Sequence, residues 1–453
     1  MLLKGVYAHV VTMRHNKIKS FFSKRFLLRN VSLWTATGSR EGVDIAVCDG
    51  VVAKIGPSLS GVEFIGFTEI NSNGLVVLPA GVDAQVHLRV PGQPQKETAH
   101  SGTWAAVAGG VGALLTMPNT KPVLDNLETL SQAKSEVSGP GQETGVKILF
   151  SAAMTMGQKG LECVDFQALA AAGVSAFTDD GVGVASDYVM LNVIKGASKT
   201  GLPILQHAEV PGHGAVLAKG PMQDTIGGPV YSESAEVEMV KRDVSLLKNV
   251  PGARYHVLHV SSRETIEIIR AARKSGLKVT CEVSPHHLFF NSENIKSDNS
   301  SFKMNPPLRS PEDQSALQAA LTTGDCDFMA TDHAPHEPEV KTTNFKTSAF
   351  GTTGLETSLR VLIWLWRQGR ITQDRLVEVW STTPAKFLGV YPEFGDISEG
   401  RPFNAVVCDV KAPDRVVEED DFVGLSRNSC FIGSALPGKV CMTILREKIH
   451  QVN

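Results

Sequence analysis

Tyr255-His256-Val257-Leu258-His259 is a short, mostly apolar run that reads as a buried β-strand and ends in a side chain able to bind metal. Seven other runs share that form: residues 75–78, 112–116, 146–151, 174–177, 202–205, 278–283 and 327–330. In chain order the eight lead into Gln85 and His87, Asn119, Thr155, Asp179 with Asp180, His207, His259, His286, and Asp332 with His333 and His336. Polar groups at the ends of eight successive strands are the pattern of an α/β chain folded as a (β/α)8 TIM-like barrel, whose active sites gather at the carboxyl face. Three histidines and two aspartates at one such mouth suggest a metal hydrolase.

Between these runs the chain has helical stretches with start and stop signals. Asp125 is placed to cap residues 126–136, and Ser262 to cap 263–274 with Gly276 as the stop. Two connections are long, 210–234 and 292–309. Long loops on the catalytic face of a barrel often cover substrate. Outside the barrel pattern the texture changes to alternating strands, at 25–33, 43–48, 51–55 and 63–70, and again at 403–409 and 440–446. Two- or three-stranded pieces are marginal alone. The two ends are therefore expected to pair into one small β domain, 24–78 with 390–453, beside a barrel at 79–389. Residues 1–23, basic and free of acids, read as a disordered extension, with a superficial likeness to a transit peptide.

Composition narrows the function class. The 453 residues carry 44 Lys and Arg against 47 Asp and Glu, a formal net charge of −3, which makes no case for nucleic acid or an anionic membrane. No run reaches the ~18 apolar residues needed to span a bilayer. The seven cysteines are scattered, odd in number and free of a C-x-x-C pair, which fits reduced thiols in a cytoplasm. A small-molecule substrate is the expectation.

His207 and His259 each follow an apolar strand, Asp180 ends the strand before His207, and Asp332 ends the last strand. Imidazole and carboxylate suit Zn²⁺ at a site with an open position for water. Such a metal acidifies water and polarises a carbonyl. Amide hydrolysis also needs a base that carries the water proton to the leaving nitrogen, and Asp332 is well placed for that. His286, His287 and His333 read instead as hydrogen-bonded supports.

Six motifs carry a resemblance. Asp83-Ala84-Gln85-Val86-His87-Leu88-Arg89-Val90-Pro91-Gly92, Met117-Pro118-Asn119-Thr120, Phe177-Thr178-Asp179-Asp180-Gly181, His256-Val257-Leu258-His259-Val260-Ser261, Ser284-Pro285-His286-His287 and Ala330-Thr331-Asp332-His333-Ala334-Pro335-His336 resemble the dihydroorotases of the amidohydrolase superfamily. The resemblance runs from about residue 24 to 446. It implies reversible cyclisation of N-carbamoyl-L-aspartate to L-dihydroorotate in pyrimidine synthesis, with one or two Zn²⁺ ions. It further implies that His87 binds the first metal, Asp180 bridges, His207 and His259 hold the second, and Asp332 ligates the first while shuttling protons. Arg89, Asn119 and His336 match positions that bind the substrate carboxylate, and Asn305 one that contacts the pyrimidine ring. A homo-oligomer and an aspartate transcarbamoylase partner are further expectations of the same resemblance.

Gln85 departs from the family, where His-x-His is usual. An amide oxygen is a poorer zinc ligand than imidazole, so the first metal position is expected to be weakened. Val90 also departs, standing where Glu is usual. The alternatives are a catalytically impaired scaffold for aspartate transcarbamoylase and a cyclic-amide hydrolase of other specificity. Against the latter, relatives such as allantoinases use a carboxylated lysine as the metal bridge. The stretch Ala176-Phe177-Thr178-Asp179-Asp180 has none.

Overall fold

The computed structural model describes residues 17–212, 214–341 and 344–453. Eight parallel strands form its central sheet: β1 Gly81–Val86, β2 Val111–Thr116, β3 Lys147–Ala152, β4 Ala176–Phe177, β5 Ile204–Gln206, β6 Arg254–Val257, β7 Lys278–Val283 and β8 Phe328–Met329. Each pairs with the next in sequence order. The first and last also meet, through a bridge between Val86 and His333 and a bond of 2.9 Å from the His87 amide to the His333 carbonyl. The sheet is thus a nearly closed barrel, with a helix after each strand.

The helices form where their sequence allows. Arg263–Lys274 begins at Ser262, whose side chain accepts from the Glu264 amide, and it buries Ile266, Ile269 and Ala272. Gly276 follows in the left-handed region, as its sequence suggests. The helix Leu127–Thr144 differs from expectation in cap and length. Asn126 caps it by accepting from the Thr129 amide at 3.0 Å, while Asp125 accepts from the Gly157 amide at 2.7 Å. The helix continues through Pro140 to Gly145, which closes it at φ 83°.

The first apolar run also lies elsewhere than expected. Val76–Pro79 is not a barrel strand: it pairs with Asn404–Asp409 and Arg25–Thr35 in a second, nine-stranded sheet. The first barrel strand is the next segment, Gly81–Val86, whose six residues are all buried. Asp83 and Gln85 hide it from an apolar reading. Their side chains share one face of the strand.

The second sheet runs in the order Ile18–Phe22, Lys448–Val452, Lys439–Leu445, Asn404–Asp409, Val76–Pro79, Arg25–Thr35, Gly38–Cys48 and Val51–Gly56, with Thr68–Ile70 beside Arg25–Thr35. Residues 18–22, read from sequence as part of an extension, pair with 448–452 over five positions; residues 1–16 lie outside the described residues. Alternation divides the sheet between two cores. Val76 and Leu78 join the main core shared with the barrel, whereas Val77 packs with Phe26, Ile45, Phe403 and Ile444 in a separate one.

The loop after β1 is tight. Gly92 adopts φ 87°, and a Cβ there would lie 1.5 Å from the Lys121 carbonyl oxygen. Gly92→Ala is therefore expected to cost about 2 kcal/mol or more. A thermal melt should show a lowered midpoint, and an unchanged midpoint would contradict this close approach.

Candidate active site

Side chains from five strand ends meet at one mouth of the barrel. Gln85 stands on β1 with His87 and Arg89 just beyond it, Asp180 follows β4, His207 follows β5, His259 follows β6, and Asp332 and His336 follow β8. All eight are between 0% and 8% exposed. Arg89, His259 and Asp332 hold left-handed backbone, with φ of 60°, 32° and 49°. That conformation costs a non-glycine residue roughly 1–3 kcal/mol and persists only where surroundings enforce it.

Those surroundings can be named for Asp332. The buried Asp83 carboxylate accepts from the Thr331 amide at 3.0 Å and from the Thr331 hydroxyl, and the His333 amide donates to that hydroxyl at 3.1 Å. Burial, partly offset by these bonds, raises Asp83 to about 6. His333 is fastened on its far side, where Nδ1 accepts from the Gly354 amide at 3.3 Å and Nε2 faces Glu97 at 3.5 Å. It supports the site from behind, as its sequence context suggests.

Asp180 is the meeting point. Its Oδ1 lies 3.5 Å from His207 Nδ1, 3.7 Å from His259 Nε2 and 3.3 Å from Gln85 Nε2, and its Oδ2 lies 3.2 Å from His87 Nε2. His87 Nε2 is also 3.1 Å from Asp332 Oδ1. His207 Nδ1 and His259 Nε2 face each other at 3.0 Å. The candidate ligand atoms of Asp180, His207 and His259 lie within 4.8 Å of one another, a donor set that a divalent cation fits. Gln85 Oε1 is buried with no hydrogen-bond partner among the described residues, a second sign of a cation position.

Electrostatics agree with that fit. Burial opposes charge on His207, but Asp180 and Glu209 outweigh it and raise its pKa to about 10. Burial likewise opposes the Asp180 carboxylate, yet His207, His259 and His87 hold its pKa well below the usual range. A site that favours positive charge so strongly suits a metal ion equally well.

Beside this cluster lies a cation of the protein's own. Burial lowers Arg89 to about 10 against the pull of Asp332 and Asp180, which leaves it charged at neutral pH. Its Nη2 donates to His336 Nε2 at 3.3 Å. Burial and the nearby Arg89 hold His336 to about 2, so the ring is neutral and its Nδ1 carries the hydrogen. That Nδ1 is buried and unpartnered among the described residues. The two asparagines are engaged within the protein: Asn119 Oδ1 accepts from His87 Nδ1 at 2.8 Å, and Asn305 accepts from the Tyr231 hydroxyl at 2.7 Å.

Sequence reading missed Glu209. Its carboxylate accepts from His207 Nε2 at 2.9 Å and from Asn305 Nδ2 at 2.7 Å, which turns His207 Nδ1 toward Asp180, where it becomes a ligand nitrogen once a cation takes the place of its proton. The spacing His-x-Glu was the available signal. Asp179, next to Asp180, turns away and accepts from the Met154 and Thr155 amides at 2.7 and 3.1 Å.

Relatives carry the same architecture. A family model described as Dihydro-orotase-like matches residues 74–265. A dihydroorotase of Lactiplantibacillus plantarum is 38% identical over 426 residues, 93% of this chain and 97% of its own length. One of Halalkalibacterium halodurans is 37% identical over 433 residues, again 93% and 97%. Among solved structures, L-hydantoinase (dihydropyrimidinase) from Arthrobacter aurescens matches with a TM-score of 0.83 at 27% identity, over 95% of this chain and 96% of its own. Identity at this level over nearly whole chains, on a barrel shared with cyclic-amide hydrolases, means that this chain belongs to the dihydroorotase family.

Proposed function

We propose that this chain interconverts N-carbamoyl-L-aspartate and L-dihydroorotate, with Zn²⁺ held by Asp180, His207 and His259, and that it serves pyrimidine synthesis. The observation that carries the reading is the pairing, in one buried mouth, of a metal-fitting cluster with the buried cationic fork of Arg89. Arg89 and the unpartnered His336 Nδ1 supply donors for a carboxylate, and a planar guanidinium suits that ion. The absence of lysine at the end of β4 supports this family over lysine-bridged relatives. Asn119 supports His87 through the ring nitrogen that faces away from Asp180, and Asn305 supports Glu209.

A divalent cation in this cluster supplies Lewis acidity, polarising a carbonyl and acidifying water. The protein's own part is proton handling and orientation. In ring opening, the water oxygen bonds to the ring carbonyl carbon and Asp332 takes one water proton. The carbon–nitrogen bond then breaks, and Asp332 returns that proton to the nitrogen. The new carboxyl group releases the other proton to solvent. His87, 3.1 Å from Asp332 Oδ1, orients the carboxylate for both transfers.

Purified protein is expected to act on dihydroorotate and not on allantoin or dihydrouracil, which lack the carboxylate that Arg89 and His336 would hold. Comparable rates on all three would sink the assignment.

Ring closure takes up one proton, so the ring form should gain about tenfold per unit fall in pH, or about 1.4 kcal/mol. An equilibrium ratio that stays flat from mildly acidic to mildly basic pH would mean that a different reaction is being followed.

Asp332→Asn keeps the shape and removes the proton acceptor. Turnover should fall by roughly 10²–10⁴ while zinc content is largely retained at His207 and His259. Near-normal kcat in this variant would remove Asp332 from the mechanism.

A further inference from the structure

The loop that carries His336 is gripped by a residue from outside the barrel. Asn428 lies in the C-terminal stretch, in neither helix nor strand, and is 6% exposed. Its Oδ1 accepts from the His336 amide at 3.0 Å, and its Nδ2 donates to the Ala334 carbonyl at 3.0 Å and the Gly351 carbonyl at 3.1 Å. Its own carbonyl accepts from the Thr353 amide at 3.2 Å. Exchanging the two side-chain amide atoms would set Oδ1 against two carbonyl oxygens and Nδ2 against an N–H, so these partners fix one orientation.

The grip reaches both donors of the proposed carboxylate subsite. The Ala334 carbonyl and the His336 amide flank Pro335, and the Pro335 carbonyl accepts from Arg89 Nε at 3.3 Å. Arg89 Nη2 in turn donates to His336 Nε2 at 3.3 Å. One side-chain amide therefore fixes the backbone on each side of the carbonyl that orients the guanidinium, and the backbone of the imidazole as well. The residues just before it hold the opposite wall. The Ser426 hydroxyl donates to the Lys96 carbonyl at 2.6 Å, and the Leu425 amide donates to Glu97 Oε1 at 3.3 Å. Residues 425–428 thus tie the loop after β1, which bears Arg89, to the loop after β8, which bears His336.

We propose that Asn428 is a positioning residue for the substrate carboxylate: from outside the barrel, and without touching the ligand, it sets the spacing between the Arg89 fork and the His336 ring. Both Nδ2 hydrogens and Oδ1 are spent on the loop, so the residue acts only through what it holds. A carboxylate remote from the reacting amide is bound alike in substrate and transition state. Misplacing its donors should raise KM and leave kcat nearly unchanged.

The test compares full-length native protein with Asn428→Ala and the milder Asn428→Ser, which keeps a hydroxyl. For folded variants, KM for dihydroorotate and the inhibition constant of orotate, a planar ring with the same carboxylate, should rise by ~10–100-fold, the worth of one hydrogen bond to a charged group. Asn428→Ser should fall between Asn428→Ala and native protein, with kcat within about threefold of native and zinc content unchanged. A merely structural role would lower the melting midpoint and leave KM where it was, and that result overturns the proposal. So does a loss of kcat or zinc at native KM. If neither variant folds, hydrogen–deuterium exchange on native protein decides. Orotate should slow exchange in residues 425–430 together with 334–336, and unchanged exchange in 425–430 overturns the proposal. The inference rests on the carboxylate role proposed for Arg89 and His336. Native protein that neither turns over dihydroorotate nor binds orotate refutes that reading and this one with it, whereas native turnover with unchanged KM in the variants overturns this inference alone.

Discussion

The buried carboxylate of Asp180 is the constraint around which the mouth of the barrel is arranged. At 3% exposure, far from bulk water, an ionised carboxyl is tolerable only with partners on every side. It has His87, His207, His259 and Gln85 within 3.7 Å, drawn from β1, β5 and β6 or the residues just after them. No neighbouring pair of strands could supply that set. Only a closed sheet brings the chain after β1 against the chain after β8, where His87 Nε2 lies 3.1 Å from Asp332 Oδ1, which is why the seam at Val86 and His333 matters to the site.

Positioning is costly, and the cost is met outside the mouth. Arg89, His259 and Asp332 sit in left-handed backbone that their side chains disfavour. Acids around the cluster hold the geometry: buried Asp83 through Thr331, buried Glu97 toward His333, and half-buried Glu209 against His207. Each spends a carboxylate on an amide, a hydroxyl or an imidazole of the supporting frame. The arrangement resembles metal sites in general, where outer groups fix ring tautomers and orientation.

Gln85 contributes to the same frame: its amide ties Asp180 Oδ1 by a donor at 3.3 Å, while its Oε1 is buried without a hydrogen-bond partner among the described residues.

Much of this was readable in the chain itself. Apolar runs ending in polar residues marked seven of the eight barrel strands, because a parallel strand buried on both faces must be apolar until its carboxyl end, where function begins. The same rule picked out His207, His259, Asp180 and Asp332. It failed at β1, since Asp83 and Gln85 place polar atoms inside the barrel, and the apolar stretch just before it was needed by the second sheet. The cap at Asn126 was misread for a related reason: two adjacent residues can each cap, and Asp125 is claimed by Gly157, a partner distant in sequence. Glu209, Asp83 and Glu97 were silent as well. An acid acquires a supporting role only from what folding sets against it. Sequence by itself determined the periodicity and the strand-end chemistry, both local properties; tertiary structure alone decided which buried charges meet, because that depends on contacts across hundreds of residues.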